Sequence, residues 1–218
     1  PWLPMQPHST SSQTPPSDAL EPFLPVCGAL AEALSDAPFY QAVTIDHAAN
    51  TVRRLQVLAH YCALAMDEAR AVGDVQVADL HGAALWITPH APAADKAQYS
   101  AQRTRSLRQL LGPLGFDHYQ RICAAMEAQV PADLHSAWYL SILGVHTAAR
   151  GHGLAQRLLA PTLARADQAG ASCFLETFNP LSVPFYSRLG FTRSVECVEP
   201  ITGSTYWLLV RGAAVLGR

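Results

Sequence analysis

The sequence predicts a mixed α/β (α+β) protein in which helices flank one central β-sheet. Three observations carry that expectation. The mostly apolar run Trp138–Val145 reads as a strand, residues 151–169 as an amphipathic helix, and residues 172–178 as a second strand. A strand–helix–strand unit with so long a crossover sets its two strands parallel. Short apolar runs at 75–78 and 83–88, joined near His81 and Gly82, read as an antiparallel hairpin, and runs at 191–197 and 206–210 add an antiparallel finish. The sheet is therefore expected to be mixed.

The elements follow in order. Residues 1–16 are rich in Pro, Ser, Thr and Gln and are expected to be flexible. Residues 18–35 read as a helix or helix pair. Asp18 can cap it, Glu21 holds the capping-box position, and Pro25 suggests a break. A second helix at 47–71 buries the stripe Val52, Leu55, Leu58, Ala59, Cys62 and Ala65, and Gly73 ends it. Pro89 and Pro92 terminate the hairpin. Helices at 97–111 and 116–129 are split by Gly112 and Pro113. In the 151–169 helix, Leu154, Leu158, Leu159, Leu163 and Ala166 share a face, and Gly170 caps it. A short helix at 182–189 stops at Gly190.

Composition narrows the function classes. A chain of 218 residues, half of them apolar, fits one domain with a real core. A formal net charge of −2 offers no basic excess for nucleic acid or an anionic membrane. Cys27, Cys62, Cys123, Cys173 and Cys197 are scattered, form no CxxC pair and suggest a reducing, cytoplasmic setting. No His, Cys or Glu spacing resembles a zinc site, so no metal is expected. The opening residues lack the charged-then-apolar pattern of a signal peptide, and no apolar run is long enough to span a bilayer.

The chemistry concentrates where the strand Trp138–Val145 ends and the next helix opens, in the run Leu143-Gly-Val-His-Thr-Ala-Ala-Arg-Gly-His-Gly-Leu-Ala155. Free amides at a helix start, aided by the helix dipole, attract phosphate. Gly151 and Gly153 remove the Cβ atoms that would obstruct close approach, and Arg150 adds a forked donor. A diphosphate is the expected guest; an ordinary loop-to-helix turn is the bland alternative. The dinucleotide GxGxxG pattern fails at Gln156, and no Gly-Lys-Ser/Thr occurs.

Arg150-x-x-Gly153-x-Ala155 resembles the R/Q-x-x-G-x-G/A motif of the GCN5-related N-acetyltransferase (GNAT) superfamily. Leu175-Glu-Thr followed by Pro184-Phe-Tyr-Ser-Arg-Leu-Gly-Phe191 resembles that family's closing segment, in the right order and spacing. Residues 138–191, with Trp86 upstream and Trp207 downstream, look most like the branch containing puromycin N-acetyltransferase. Two departures stand out. Ser182 occupies the place of the family's usual Asn, with Asn179 nearby, and the usual first strand is unmarked near residues 9–16.

The resemblance implies a GNAT fold whose mixed sheet splays at the family's strands 4 and 5, here Trp138–Val145 and 172–178. It implies one acetyltransferase domain over 17–218, with a helical insertion at about 93–131. Acetyl-CoA would be the cosubstrate, without a metal. Its pantetheine arm would meet backbone at Leu143, Gly144 and Val145, and Ser182. Its diphosphate would meet Arg150, Gly151, His152, Gly153, Leu154 and Ala155. The Val145 amide would stabilise the developing oxyanion. Tyr186 would contact the cofactor and protonate the departing thiolate; its alternative role is a core tyrosine. Glu176 would be the general base, directly or through water, or else a structural carboxylate. His146 and His135 stand behind it. Trp86 and Phe178 would line the acceptor space.

The function implied is transfer of acetyl from acetyl-CoA to a primary amine of a small molecule, by direct attack in a ternary complex, in a monomer or homodimer with no nucleic-acid or membrane partner. Two alternatives stay open: an N-terminal or lysine acetyltransferase acting on protein, and a non-catalytic acyl-CoA-binding module.

Overall fold

The computed structural model describes residues 24–214. The expected flexible segment 1–16, the Asp18 cap with Glu21, and the question of a strand near 9–16 lie outside the described residues. In chain order the elements are α1 (Leu24–Leu34), α2 (Pro38–Val43), α3 (Thr51–Val72), β1 (Gly73–Ala78), β2 (Gly82–Ile87), α4 (Ala93–Leu111), α5 (Pro113–Glu127), β3 (Trp138–Val145), α6 (Leu154–Gln168), β4 (Cys173–Thr177), α7 (Val183–Arg188), β5 (Arg193–Val198) and β6 (Thr205–Arg211).

Among the described residues the strands form one sheet in the order β1-β2-β3-β4-β6-β5. The β3–β4 pair is parallel, across the α6 crossover, and the other neighbours are antiparallel. The mixed sheet is thus as expected. Each face has its own core. Helix α6 packs its apolar stripe Leu158, Leu159, Leu163 and Ala166 on one face, with Tyr186 and Phe191 beside it. Helices α1 and α3 cover the other face, and α4 and α5 close over α3 through Leu107, Leu111 and Phe116.

Local chemistry explains most boundaries. Asn50 accepts from the Arg53 N–H at 3.0 Å and starts α3. The described part of α1 begins at Leu24 and includes Pro25, so the break expected there lies at the edge of the described residues. Helix α6 starts at Leu154 rather than at Gly151, because Gly151 (φ +83°) and Gly153 (φ +70°) hold the left-handed conformation that a right-handed helix cannot contain. Gly112 (φ +81°) separates α4 from α5. There Asp46, far away in sequence, accepts from the Leu114 and Gly115 amides, each at 2.9 Å, and caps α5.

Charged contacts lock α6 in place. Asp74 of β1 accepts from Thr162 and pairs with Arg165. Arg211 of β6 grips Asp167 with both arms at 2.5 and 2.8 Å, and its Nε donates to the Leu189 carbonyl at 3.0 Å. That fork ties the C-terminal end of α6, the end of α7 and the sheet together. Among the described residues no helix is long and apolar enough to cross a membrane.

Candidate active site

Strands β3 and β4 pair only at their starts, Trp138 against Cys173 and Tyr139 against Phe174. Beyond that they run on to Val145 and Thr177 without pairing, so they part and leave a cleft. A bulge in β3 accompanies the parting. Leu85 lies opposite Ile142 but Trp86 lies opposite Leu140, which makes Ser141 the extra residue. The bulge resets the side-chain alternation. Trp138 and Leu140 face α6, whereas Ile142 faces α1 and α3.

The edge that β4 abandons carries free backbone groups. The His146 N–H donates to the His81 carbonyl, on the β2 side, at 2.7 Å. Backbone groups alternate between the two edges of an extended chain, so the N–H and C=O of Val145 and Leu143 point into the cleft. Arg150 agrees with this: its Nε donates to the Val145 carbonyl at 3.2 Å, and its Nη2 reaches the Ala33 carbonyl of α1 at 3.4 Å. The sequence places Arg150 as a fork for phosphate; in the fold that fork rests on two backbone carbonyls at the cleft. Gly144 lets α1 close on β3, since a Cβ there would stand 2.5 Å from Leu30 Cδ2.

The turn that follows presents donors. Among the described residues the amides of Gly151, His152, Gly153, Leu154, Ala155 and Gln156 meet no protein acceptor. Gly151, His152 and Gly153 are exposed. The His152 carbonyl accepts from Arg157 Nη1 at 2.6 Å, which lays a guanidinium across the turn. The turn therefore combines a helix start, left-handed glycines and a cation, the arrangement that holds an anion.

Tyr186 and Glu176 lie on opposite faces of the sheet. Tyr186 packs in the α6 core, its ring 5.1 Å from Phe185 and 5.7 Å from Phe191. Burial pushes its phenol well up, so it stays protonated. Among the described residues its hydroxyl has no hydrogen-bond partner. On β4, Cys173 and Leu175 face α6 while Phe174 and Glu176 face the other way. Burial raises the Glu176 carboxyl, and a hydrogen bond from Tyr139 pulls it back down.

The remaining candidates are spread out. The Ser182 hydroxyl makes no protein hydrogen bond, whereas Asn179 Oδ1 is occupied by the Leu181 amide at 3.0 Å. Phe178 is half-buried against Tyr206, ring to ring at 5.4 Å. Trp86, expected to line the acceptor space, is 0% exposed on the α6 face and presents no atom to any open space. His146 bonds Glu32 at 2.9 Å beside the turn. His135 ends a short turn ahead of β3.

A sequence model of the acetyltransferase (GNAT) family matches residues 84–191, from β2 through the glycine turn to the end of the α7 loop. The chain belongs to the GNAT acetyltransferase family. Solved structures carry the same fold. One, described as histone acetyltransferase HPA2 and related acetyltransferase from Corynebacterium glutamicum, is 18% identical and covers 94% of this chain and 97% of that one, with a TM-score of 0.59. An N-acetyltransferase from Staphylococcus aureus is 14% identical and covers 88% and 96%, with a TM-score of 0.53.

As a GNAT acetyltransferase the protein uses acetyl-CoA, and the cleft suits that cosubstrate. The strand groups of Leu143 and the Val145 N–H match an amide-bearing pantetheine arm, while the Val145 carbonyl is held by Arg150, and the amides from Gly151 to Gln156 match a diphosphate. Sequence reasoning missed Arg157, which reads as an outer-face residue until its carbonyl partner is known. It also missed Tyr139. Alternation sets Tyr139 opposite in face to Trp138, but only the β3–β4 register brings it to Glu176.

Proposed function

We propose that this GNAT acetyltransferase moves the acetyl group of acetyl-CoA onto the primary amine of a small molecule, by direct attack while both are bound. The observation that carries the reading is the run of unpartnered amides from Gly151 to Gln156, set directly after a strand whose edge is open. Acetyl-CoA supplies an activated thioester. Glu176, on the α3–α5 side, takes the proton that the ammonium must lose, directly or through a water, and the freed amine nitrogen forms the new C–N bond to the acetyl carbon. The Val145 N–H stabilises the oxygen of the attacked carbonyl. Tyr186, on the α6 side, gives its proton to the sulfur as the C–S bond breaks. The small-molecule acceptor is supported by the resemblance of 138–191 to the puromycin N-acetyltransferase branch. It is also supported by helices α3, α4 and α5, which close over the Glu176 side. Phe178 lines the same side. A cytoplasmic location belongs to the same proposal; the described cysteines are free thiols.

The test has two arms. Calorimetry with CoA should show saturable uptake, and a thiol-detection assay should show CoA release that depends on an added amine. No heat with CoA would sink the reading. A bound loop geometry gives a further expectation. Gly153→Val forces a β-branched residue into the left-handed region, so KM for acetyl-CoA should rise roughly 5- to 30-fold with kcat little changed. An unchanged KM would take the Gly153 turn out of cofactor binding.

A further inference from the structure

The side chain that the sequence offers as a phosphate fork is already engaged by the protein. Arg150 Nε donates to the Val145 carbonyl at 3.2 Å, and its Nη2 donates to the Ala33 carbonyl at 3.4 Å. Nε and Nη2 form the side edge of the guanidinium, whose two parallel N–H groups match two oxygens of one anion. Here the two oxygens come from two elements, the end of β3 and the last turn of α1. The last carbonyls of a helix lack partners within it, and the helix dipole favours a cation beside them. A phosphate taking that edge of Arg150 would break both bonds and uncover both carbonyls.

Two more contacts lie along the same seam. A Cβ on Gly144 would stand 2.5 Å from Leu30 Cδ2, so α1 rests directly on the end of β3. His146 Nδ1 accepts from the Ala148 N–H at 3.3 Å, which leaves the ring proton on Nε2, and Nε2 donates to Glu32 of α1 at 2.9 Å. With both nitrogens engaged, His146 braces the turn against α1 and is no base in reserve.

The seam matters because β3 is one-sided there. Among the described residues β4 pairs with β3 only at Trp138 and Tyr139, so from Leu140 to Val145 the strand has β2 as its partner and a bare opposite edge. Val145 ends that stretch, and its N–H is the donor that the proposed mechanism aims at the developing oxyanion. Such a donor has to sit about 3 Å from the oxygen it stabilises, so a small shift of the strand end is costly.

We infer that Arg150 is a positioning residue: it clasps the last turn of α1 to the end of β3 and so fixes the Val145 N–H at the thioester, while the diphosphate rests on the amides of the turn and on Arg157. This deepens the proposed function and rests on it for the place of the thioester.

The test uses two acetyl donors, acetyl-CoA and S-acetylpantetheine, which carries the same thioester and arm without any phosphate. In the full chain Arg150→Ala should lower kcat/KM roughly 5- to 30-fold with both donors, by the same factor and partly through kcat. Arg157→Ala should lower it with acetyl-CoA alone. Should Arg150→Ala not fold, Arg150→Lys reaches one carbonyl at a time and should lose less, still treating the donors alike. A loss confined to acetyl-CoA would make Arg150 a phosphate ligand and overturn the inference, as would no loss with either donor. Hydrogen exchange of the cofactor-free chain separates the clasp from the reaction. Arg150→Ala should speed exchange in the segments 30–37 and 143–149 and leave β5 and β6 at the wild-type rate. Wild-type exchange in those two segments would remove the clasp whatever the kinetics, and this measurement alone decides if the wild-type enzyme ignores S-acetylpantetheine. Faster exchange in the variant, with neither donor turned over by the wild-type enzyme, would keep the clasp and remove the transfer reading.

Discussion

Tyr186→Phe lowers kcat by about 10²- to 10⁴-fold while CoA binding stays at the wild-type level. The substitution deletes one oxygen. The ring keeps its edge contacts with Phe185 and Phe191 and its place against α6, so the fold should survive. What disappears is a donor whose pKa burial has pushed up, which keeps it protonated at any working pH. Such a group gives up its proton only as strong negative charge develops next to it, and a thiolate leaving a thioester is that event. The hydroxyl is uncommitted to any protein partner, so no internal bond must break first. Calorimetry with CoA and steady-state kinetics with one acceptor decide the matter. Turnover near wild type would leave Tyr186 as a core tyrosine.

Glu176→Gln should cost a comparable 10²- to 10⁴-fold, roughly, in kcat/KM for the amine, and should alter the pH profile. The sign follows from the cause. Burial raises the Glu176 carboxyl, so it begins to ionise at a higher pH than an exposed glutamate. A general base works only when ionised. The wild-type rate should therefore climb with pH through that raised value and level off above it. The Gln variant should lack this limb and retain only the one set by the acceptor's own ammonium. The two limbs separate when acceptors of different basicity are compared, since only the second one moves. A Gln variant with the wild-type profile would make Glu176 a structural carboxylate held by Tyr139.

The order and type of most elements were legible because they are written in local periodicity and punctuation; the short α2 was not among them. The apolar run Trp138–Val145, the stripe from Leu158 to Ala166 and the stops at Gly170 and Gly190 each depend on neighbours a few residues away. The glycine turn was legible for the same reason, although its left-handed residues moved the start of α6 from Gly151 to Leu154. The cap on α5 was invisible, since its carboxylate belongs to Asp46, and so was the enclosure of Trp86, which depends on the closure of α6 over β2.

By itself, then, the sequence determined a mixed sheet, a crossover helix and a glycine-lined turn that matches the acetyltransferase family. Only the tertiary structure decided that β3 and β4 part after one short register, that Ser141 bulges where they do, and that Tyr139 meets Glu176. The physical reason is range. Helix faces and turns are set by bonds within a few residues, whereas a cleft is made where distant segments fail to pair, and no local pattern records the missing partner.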